Sequence, residues 1–116
     1  MSTHEGGCHC KKVRFTVKSD LANIIACNCS YCQAKGFLLT FVPSSDFTLL
    51  SGENDLTEYR FNKKHIAHLF CSTCGVQSFG RGKGPDGTMT VAVNVRCLDT
   101  ITLDDLSITP FAGKDI

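Results

Sequence analysis

Cys27-Asn28-Cys29-Ser30-Tyr31-Cys32 places three cysteines within six residues, in a C-x-C-x-x-C pattern. Three soft sulfurs on so short a stretch suit zinc, which favours thiolate ligands and tetrahedral four-coordination. No fourth cysteine stands close by in sequence. A metal held there keeps one corner for water or substrate, so the run reads as an open site and not as a closed staple.

The remaining cysteines fall outward from this run as Cys8-x-Cys10, Cys71-x-x-Cys74 and a single Cys97, eight in all. An even count fits a secreted disulfide scaffold, but the opening Met-Ser-Thr-His-Glu-Gly-Gly lacks the apolar core of a secretory signal. Pairs spaced this tightly are poorly placed for mutual disulfides and well placed for metal. The expected setting is the cytoplasm or another reducing space, the nucleus included. Two groupings satisfy the spacing equally. Cys8 and Cys10 can join Cys71 and Cys74 in a closed four-sulfur site, which leaves the trio open. Alternatively, Cys29 and Cys32 can join Cys71 and Cys74 as a zinc ribbon.

Composition narrows the partners. At 116 residues the chain is read as one domain spanning residues 1–116. Twelve basic residues against eleven acidic ones leave a formal charge of +1, so no global field draws the chain to nucleic acid or to a membrane surface. Tryptophan is absent and tyrosine occurs twice, which gives no stacking platform for single strands. No apolar run approaches the ~20 residues of a membrane helix.

Read in order, the chain is a series of short strands. Cys8-His9-Cys10 is expected to be extended after a flexible Gly6-Gly7, so that both sulfurs share a face. Val13, Phe15 and Val17 alternate with polar residues as a half-buried strand. Residues 21–26 form an apolar strand feeding the cysteine run, and Gln33-Ala34-Lys35 makes one helical turn stopped by Gly36. Further strands are expected over 37–42, 56–61, 65–70 and 89–95, with a short apolar piece over 47–50 and residues 76–79 leaving the second cysteine knuckle. A solvated turn at Lys63-Lys64, a glycine-rich loop over 80–87 and a loosely alternating tail over 101–111 complete the chain. The pattern predicts an all-β domain of two small sheets joined by metal.

Three segments also carry a family resemblance. They are Gly6-Gly7-Cys8-His9-Cys10 with Val13-Arg14-Phe15, then the trio, then Leu69-Phe70-Cys71-Ser72-Thr73-Cys74-Gly75-Val76-Gln77. Together with Asn94-Val95-Arg96-Cys97-Leu98-Asp99 they resemble the glutathione-dependent formaldehyde-activating enzyme family, which also includes centromere protein V. The resemblance implies a Mss4-like β-tent, small antiparallel sheets joined by a structural zinc site, with two zinc ions per chain. It assigns Cys8, Cys10, Cys71 and Cys74 to the structural ion and Cys27, Cys29 and Cys32 to a catalytic one. The implied reaction is addition of glutathione to formaldehyde, formally a carbon–sulfur lyase run in reverse.

Glutathione carries two carboxylates, so its pocket should offer basic or amide groups. Asn94 and Arg96 beside Cys97, and Lys35 after the trio, are the candidates. His65 and His68 are candidates for a fourth zinc ligand, set against ordinary strand histidines. Cys97 is expected to be a small buried residue. Two other functional classes compete with the enzyme reading. One is a non-catalytic zinc module for protein interaction. The other is a Cys97-based redox enzyme, for which Arg96-Cys97 faintly resembles the catalytic segment of methionine sulfoxide reductase B.

Overall fold

A computed structural model describes residues 2–60, 66–84 and 86–111. Ten strands build the domain: β1 (Ser2–Gly7), β2 (Arg14–Ser19), β3 (Ile24–Cys27), β4 (Leu39–Pro43), β5 (Phe47–Ser51), β6 (Leu56–Tyr59), β7 (Ile66–Cys71), β8 (Phe79–Lys83), β9 (Met89–Asn94) and β10 (Ile108–Phe111). The one α-helix among the described residues, α1 (Ser30–Lys35), follows the first cysteine of the trio by three residues. The strands form a three-stranded sheet, β1-β2-β5, and a seven-stranded sheet, β10-β3-β4-β9-β8-β7-β6. The all-β Mss4-like class expected from sequence is what the chain adopts.

Alternation places the core between the sheets. Phe15 and Val17 of β2 point inward while Lys18 is exposed, and Val91 and Val93 of β9 point back at them. Phe15 and Phe47 of the small sheet meet Phe79 of the large one, with ring centroids 4.8–6.1 Å apart. Their burial supplies the main apolar driving force of so small a domain.

Several elements depart from the sequence reading. Ser2–Gly7 contains no large apolar residue, yet it is a strand, because its backbone pairs in register with β2 from Ser2↔Ser19 to Gly7↔Arg14. The glycines are required there. A Cβ on Gly7 would lie 2.0 Å from the Val13 carbonyl oxygen, and one on Gly6 would lie 2.6 Å from that of Cys97. Gly7→Ala is therefore expected to destabilise the fold by about 3 kcal/mol, the upper end of overpacking effects. At this chain length that lowers the melting temperature by roughly 10 °C. A calorimetric melt checks it, and a shift within 2 °C or so would contradict the close approach.

Cys8-His9-Cys10 is a turn and not an extended segment. The chain reverses from β1 into β2, with Lys11 N–H donating to the Cys8 carbonyl and Cys8 N–H donating to that of Val13. Residues 80–83, expected in a loop, belong to β8, which is paired on both sides by β7 and β9. The strand at 21–26 starts only at Ile24, after Leu21 with φ +54°. Among the described residues the expectation of antiparallel sheets holds for every strand pair but one: β10 runs parallel to β3, in register from Ile108↔Ile24 to Phe111↔Cys27. A long return through the 3-10 turns at Val95–Cys97 and Leu103–Asp105 brings it there. Phe61, the Lys63-Lys64 turn and His65 lie outside the described residues.

Candidate metal centres

The β1–β2 turn supplies Cys8 and Cys10, and the knuckle that closes β7 supplies Cys71 and Cys74; their four sulfurs lie within 4.8 Å of one another. The sulfurs of Cys27, Cys29 and Cys32 form a separate group on the same criterion. The ribbon grouping, which needs Cys29 and Cys32 beside Cys71 and Cys74, is not the one the fold makes.

In the four-sulfur group, Cys8 and Cys71 are buried. Backbone N–H groups aim at the sulfurs, from Val13 to Cys8 at 3.3 Å and from Thr73 to Cys71 at 3.4 Å. Gly75 at φ +80° lets the knuckle close, and its N–H donates to the Cys71 carbonyl. Lys12 Nζ braces the two loops by donating to Thr73 Oγ1. Crowded thiols split their proton affinities. Burial opposes ionisation of Cys74, but the N–H groups of Val76 and Cys10 and two neighbouring thiols outweigh it and bring the group down to about 6. The Cys74 N–H, with that of Thr73, lowers Cys71 as well. Cys10 moves the other way: the Lys12 N–H favours its thiolate, yet burial and the three neighbouring thiols push it up to about 11.

That donor set fits zinc. A tetrahedral ion with Zn–S bonds near 2.3 Å needs sulfurs about 3.8 Å apart. Cys10 lies 3.6 Å from both Cys8 and Cys71. A divalent cation also relieves the mutual repulsion that keeps some of these thiols protonated.

The trio spans the end of a strand and the start of a helix. Cys27 ends β3, Cys29 is the N-cap of α1 and Cys32 lies buried in its first turn. Cys29 N–H donates to Cys27 Sγ at 3.5 Å, and Cys32 N–H to Cys29 Sγ at 3.4 Å. Burial raises the Cys29 thiol, but the Cys32 N–H and the flanking thiols outweigh it and bring the group below its usual value. Cys32 is driven up, by burial first and then by its two neighbours. The expected stop at Gly36 is present, with φ +72° and its N–H on the Cys32 carbonyl. Phe111 of β10 accepts from Asn28 N–H, so the last strand buttresses the loop that carries the trio.

The predicted contact residues gather near this helix. Arg96 Nε donates to the Gly36 carbonyl at 2.9 Å, and Lys35 Nζ lies 5.8 Å from the Tyr31 ring and 5.7 Å from that of Phe70. Asn94 is buried and caps the turn that bears Arg96: its Oδ1 accepts from Arg96 N–H, and its Nδ2 donates to the Gln77 carbonyl. His68 is not grouped with the trio sulfurs. It is buried in β7 against Tyr31, and burial lowers its pKa. Cys97 is half-buried, and burial, then the charges of Cys8 and Cys74, push its thiol up to about 11. A thiol protonated at neutral pH is a poor nucleophile, which weighs against a redox centre there. His65 lies outside the described residues.

Sequence reasoning passed over Tyr31 and Gln77. Tyr31 sits between two trio cysteines, and its hydroxyl donates to Gln77 Oε1 at 2.7 Å. Their only sequence signal is position, one inside the trio and the other just past the knuckle glycine.

Comparison with known proteins agrees with this architecture. The family model for glutathione-dependent formaldehyde-activating enzymes matches residues 3–111. A crystal structure of a Rhodobacter sphaeroides protein is 30% identical and superposes with a TM-score of 0.79, covering 91% of this chain and 97% of that one. No described helix is long and apolar enough to cross a membrane.

Proposed function

The chain belongs to the glutathione-dependent formaldehyde-activating enzyme family, and from that membership we propose that it joins glutathione, or a thiol of the same kind, to formaldehyde or another small aldehyde. The observation that carries this reading is a three-sulfur group at the start of a helix whose last turn bears Lys35 and whose closing Gly36 carbonyl holds Arg96. Cys27, Cys29 and Cys32 would hold one zinc ion, and Cys8, Cys10, Cys71 and Cys74 a second, structural one. Zinc at the trio would supply acidification of a thiol, making thiolate available at neutral pH.

The residues of the chain do the rest. Three thiolates already outweigh the charge of a divalent ion, so the trio is a weak Lewis site, better suited to binding a thiol than to polarising an aldehyde. Arg96 is oriented by the Gly36 carbonyl, and that residue is bonded in turn to Cys32; its guanidinium is thereby tied to the helix that carries the trio. A carboxylate of the thiol substrate placed against Arg96 or Lys35 presents its sulfur to the cysteines. In the reaction the substrate sulfur forms a bond to the carbonyl carbon, the π electrons move to oxygen, and the thiol proton ends on that oxygen. This is formally a carbon–sulfur lyase reaction in its synthetic direction.

The test is formaldehyde consumption by the reduced, zinc-loaded protein with glutathione, measured against the same mixture without protein. A rate no higher than that of the spontaneous addition would reject the reading. Arg96→Ala is expected to raise the KM for glutathione about tenfold, the equivalent of one charge-assisted hydrogen bond. The KM for 2-mercaptoethanol, which has no carboxylate, should stay unchanged. An equal rise for both thiols would show that Arg96 supports the helix and does not bind substrate.

A further inference from the structure

Gln77 is buried and lies outside both sulfur groups. Its position is set by the four-sulfur knuckle, three residues earlier, where Val76 accepts from Cys71 N–H. Its side chain turns toward the trio. Oε1 accepts the Tyr31 hydroxyl proton at 2.7 Å, and Nε2 stands 3.4 Å from His68 Nδ1. Its backbone carbonyl accepts from Asn94 Nδ2 at 3.0 Å and from the Cys97 thiol at 3.8 Å. One residue thus ties the knuckle, the helix of the trio and the turn that bears Arg96.

We propose that Gln77 is the positioning residue of the trio: through the Tyr31 hydroxyl it fixes the first turn of α1, and it does so only once the four-sulfur knuckle is formed. The inference rests on the proposed metal assignment but not on the thiol–aldehyde reaction. The physical argument is one of polarity and burial. An amide has a fixed acceptor end and a fixed donor end. With Oε1 taken by Tyr31, the other end donates to Nδ1 of His68, which places the imidazole proton on Nε2. Tyr31 is further held by ring contacts at 4.5 Å to His68 and 5.4 Å to Tyr59. Tyr31 lies between Cys29 and Cys32 in the chain, so a shift of its ring moves the cap and the first turn together. Partners outside the immediate ligand set of a metal typically govern 10–100-fold in affinity.

The experiment is cobalt(II) titration of the reduced full chain, followed through thiolate charge-transfer and visible d–d bands, with a chelator in competition. Wild-type protein should fill the four-sulfur site first and the trio second, as two resolved steps. Gln77→Leu should weaken the second step by 10–100-fold and alter its d–d bands while leaving the first step in place. Tyr31→Phe, which keeps the ring and removes only the hydroxyl, should weaken the second step in the same direction. Gln77→Glu, which keeps an acceptor for Tyr31, should recover most of the loss. A wild-type second step in both Gln77→Leu and Tyr31→Phe would overturn the proposal, and so would equal weakening of both steps. If Gln77→Leu does not fold, Tyr31→Phe and Gln77→Glu decide the matter by the same criteria. A protein that shows these shifts but no thiol–aldehyde activity would reject the proposed reaction and leave the role of Gln77 standing.

Discussion

Cys71→Ser is expected to remove the cooperative thermal transition of the domain altogether. Cys71 is fully buried, belongs to the main core and lies 3.6 Å from Cys10 across the junction of the two sheets. A serine oxygen is a harder, shorter donor and does not complete a four-sulfur site. Structural zinc in small domains supplies an apparent 10–16 kcal/mol, which matches or exceeds the whole folding stability of about 5–15 kcal/mol for an ordinary domain. The small sheet is also held by core contacts such as Phe15–Phe47–Phe79, by the Gly6↔Leu98 bridge and the Asp99 N–H bond to the Glu5 carbonyl, and by an exposed ion pair between Arg14 and Asp99. The ion pair contributes under about 1 kcal/mol. Near-ultraviolet circular dichroism and a thermal melt, with metal content measured in parallel, check the expectation. A variant that melts cooperatively near the wild-type temperature would show that the sheets pack without the cluster.

Cys29→Ser should have the opposite profile: fold retained, chemistry lost. Cys29 caps α1 by accepting from Cys32 N–H, and serine is among the best residues for that task. The helix, Gly36 and the Tyr31–Gln77 contact are therefore preserved while one of three soft ligands disappears. The expected outcome is one zinc per chain against an expected two for the wild type, an unchanged melting transition, and a glutathione–formaldehyde rate reduced to the spontaneous value. Native mass spectrometry and the aldehyde assay read both effects on one sample. Retention of both metals, or of full activity, would move the proposed site away from the trio. The contrast between the two variants matters more than either alone, since it separates a metal that holds the fold from one that serves a reaction.

Much of the site is legible in the amino-acid sequence. Cysteine chemistry is local in what it announces: C-x-C-x-x-C and C-x-x-C-G state the ligand type, and alternating runs such as Val13-x-Phe15-x-Val17 state the strand and its buried face. The helical stop at Gly36 is legible too, because a left-handed residue at a helix end favours glycine. Elements without such a signal escape a sequence reading. Ser2–Gly7 has no apolar alternation to read and exists as a strand only because β2 offers it a backbone partner. Gly80 and Gly82 read as loop residues, yet they sit in a strand paired on both edges. Paired neighbours override the weak intrinsic preference of glycine.

The sequence by itself determined the cysteine motifs, the all-β class and the resemblance to the family. Tertiary structure alone decided which cysteines meet. Two groupings have equally good spacing, and the choice between them depends on how residues some sixty positions apart are brought together, as Cys10 and Cys71 are. It also decided that β10 lies parallel to β3 and bonds the trio loop, and that Gln77 faces Tyr31 across forty-six positions of chain. Such contacts follow from strand pairing and register, which satisfy backbone hydrogen bonds over long sequence separations. No local pattern in the chain encodes them.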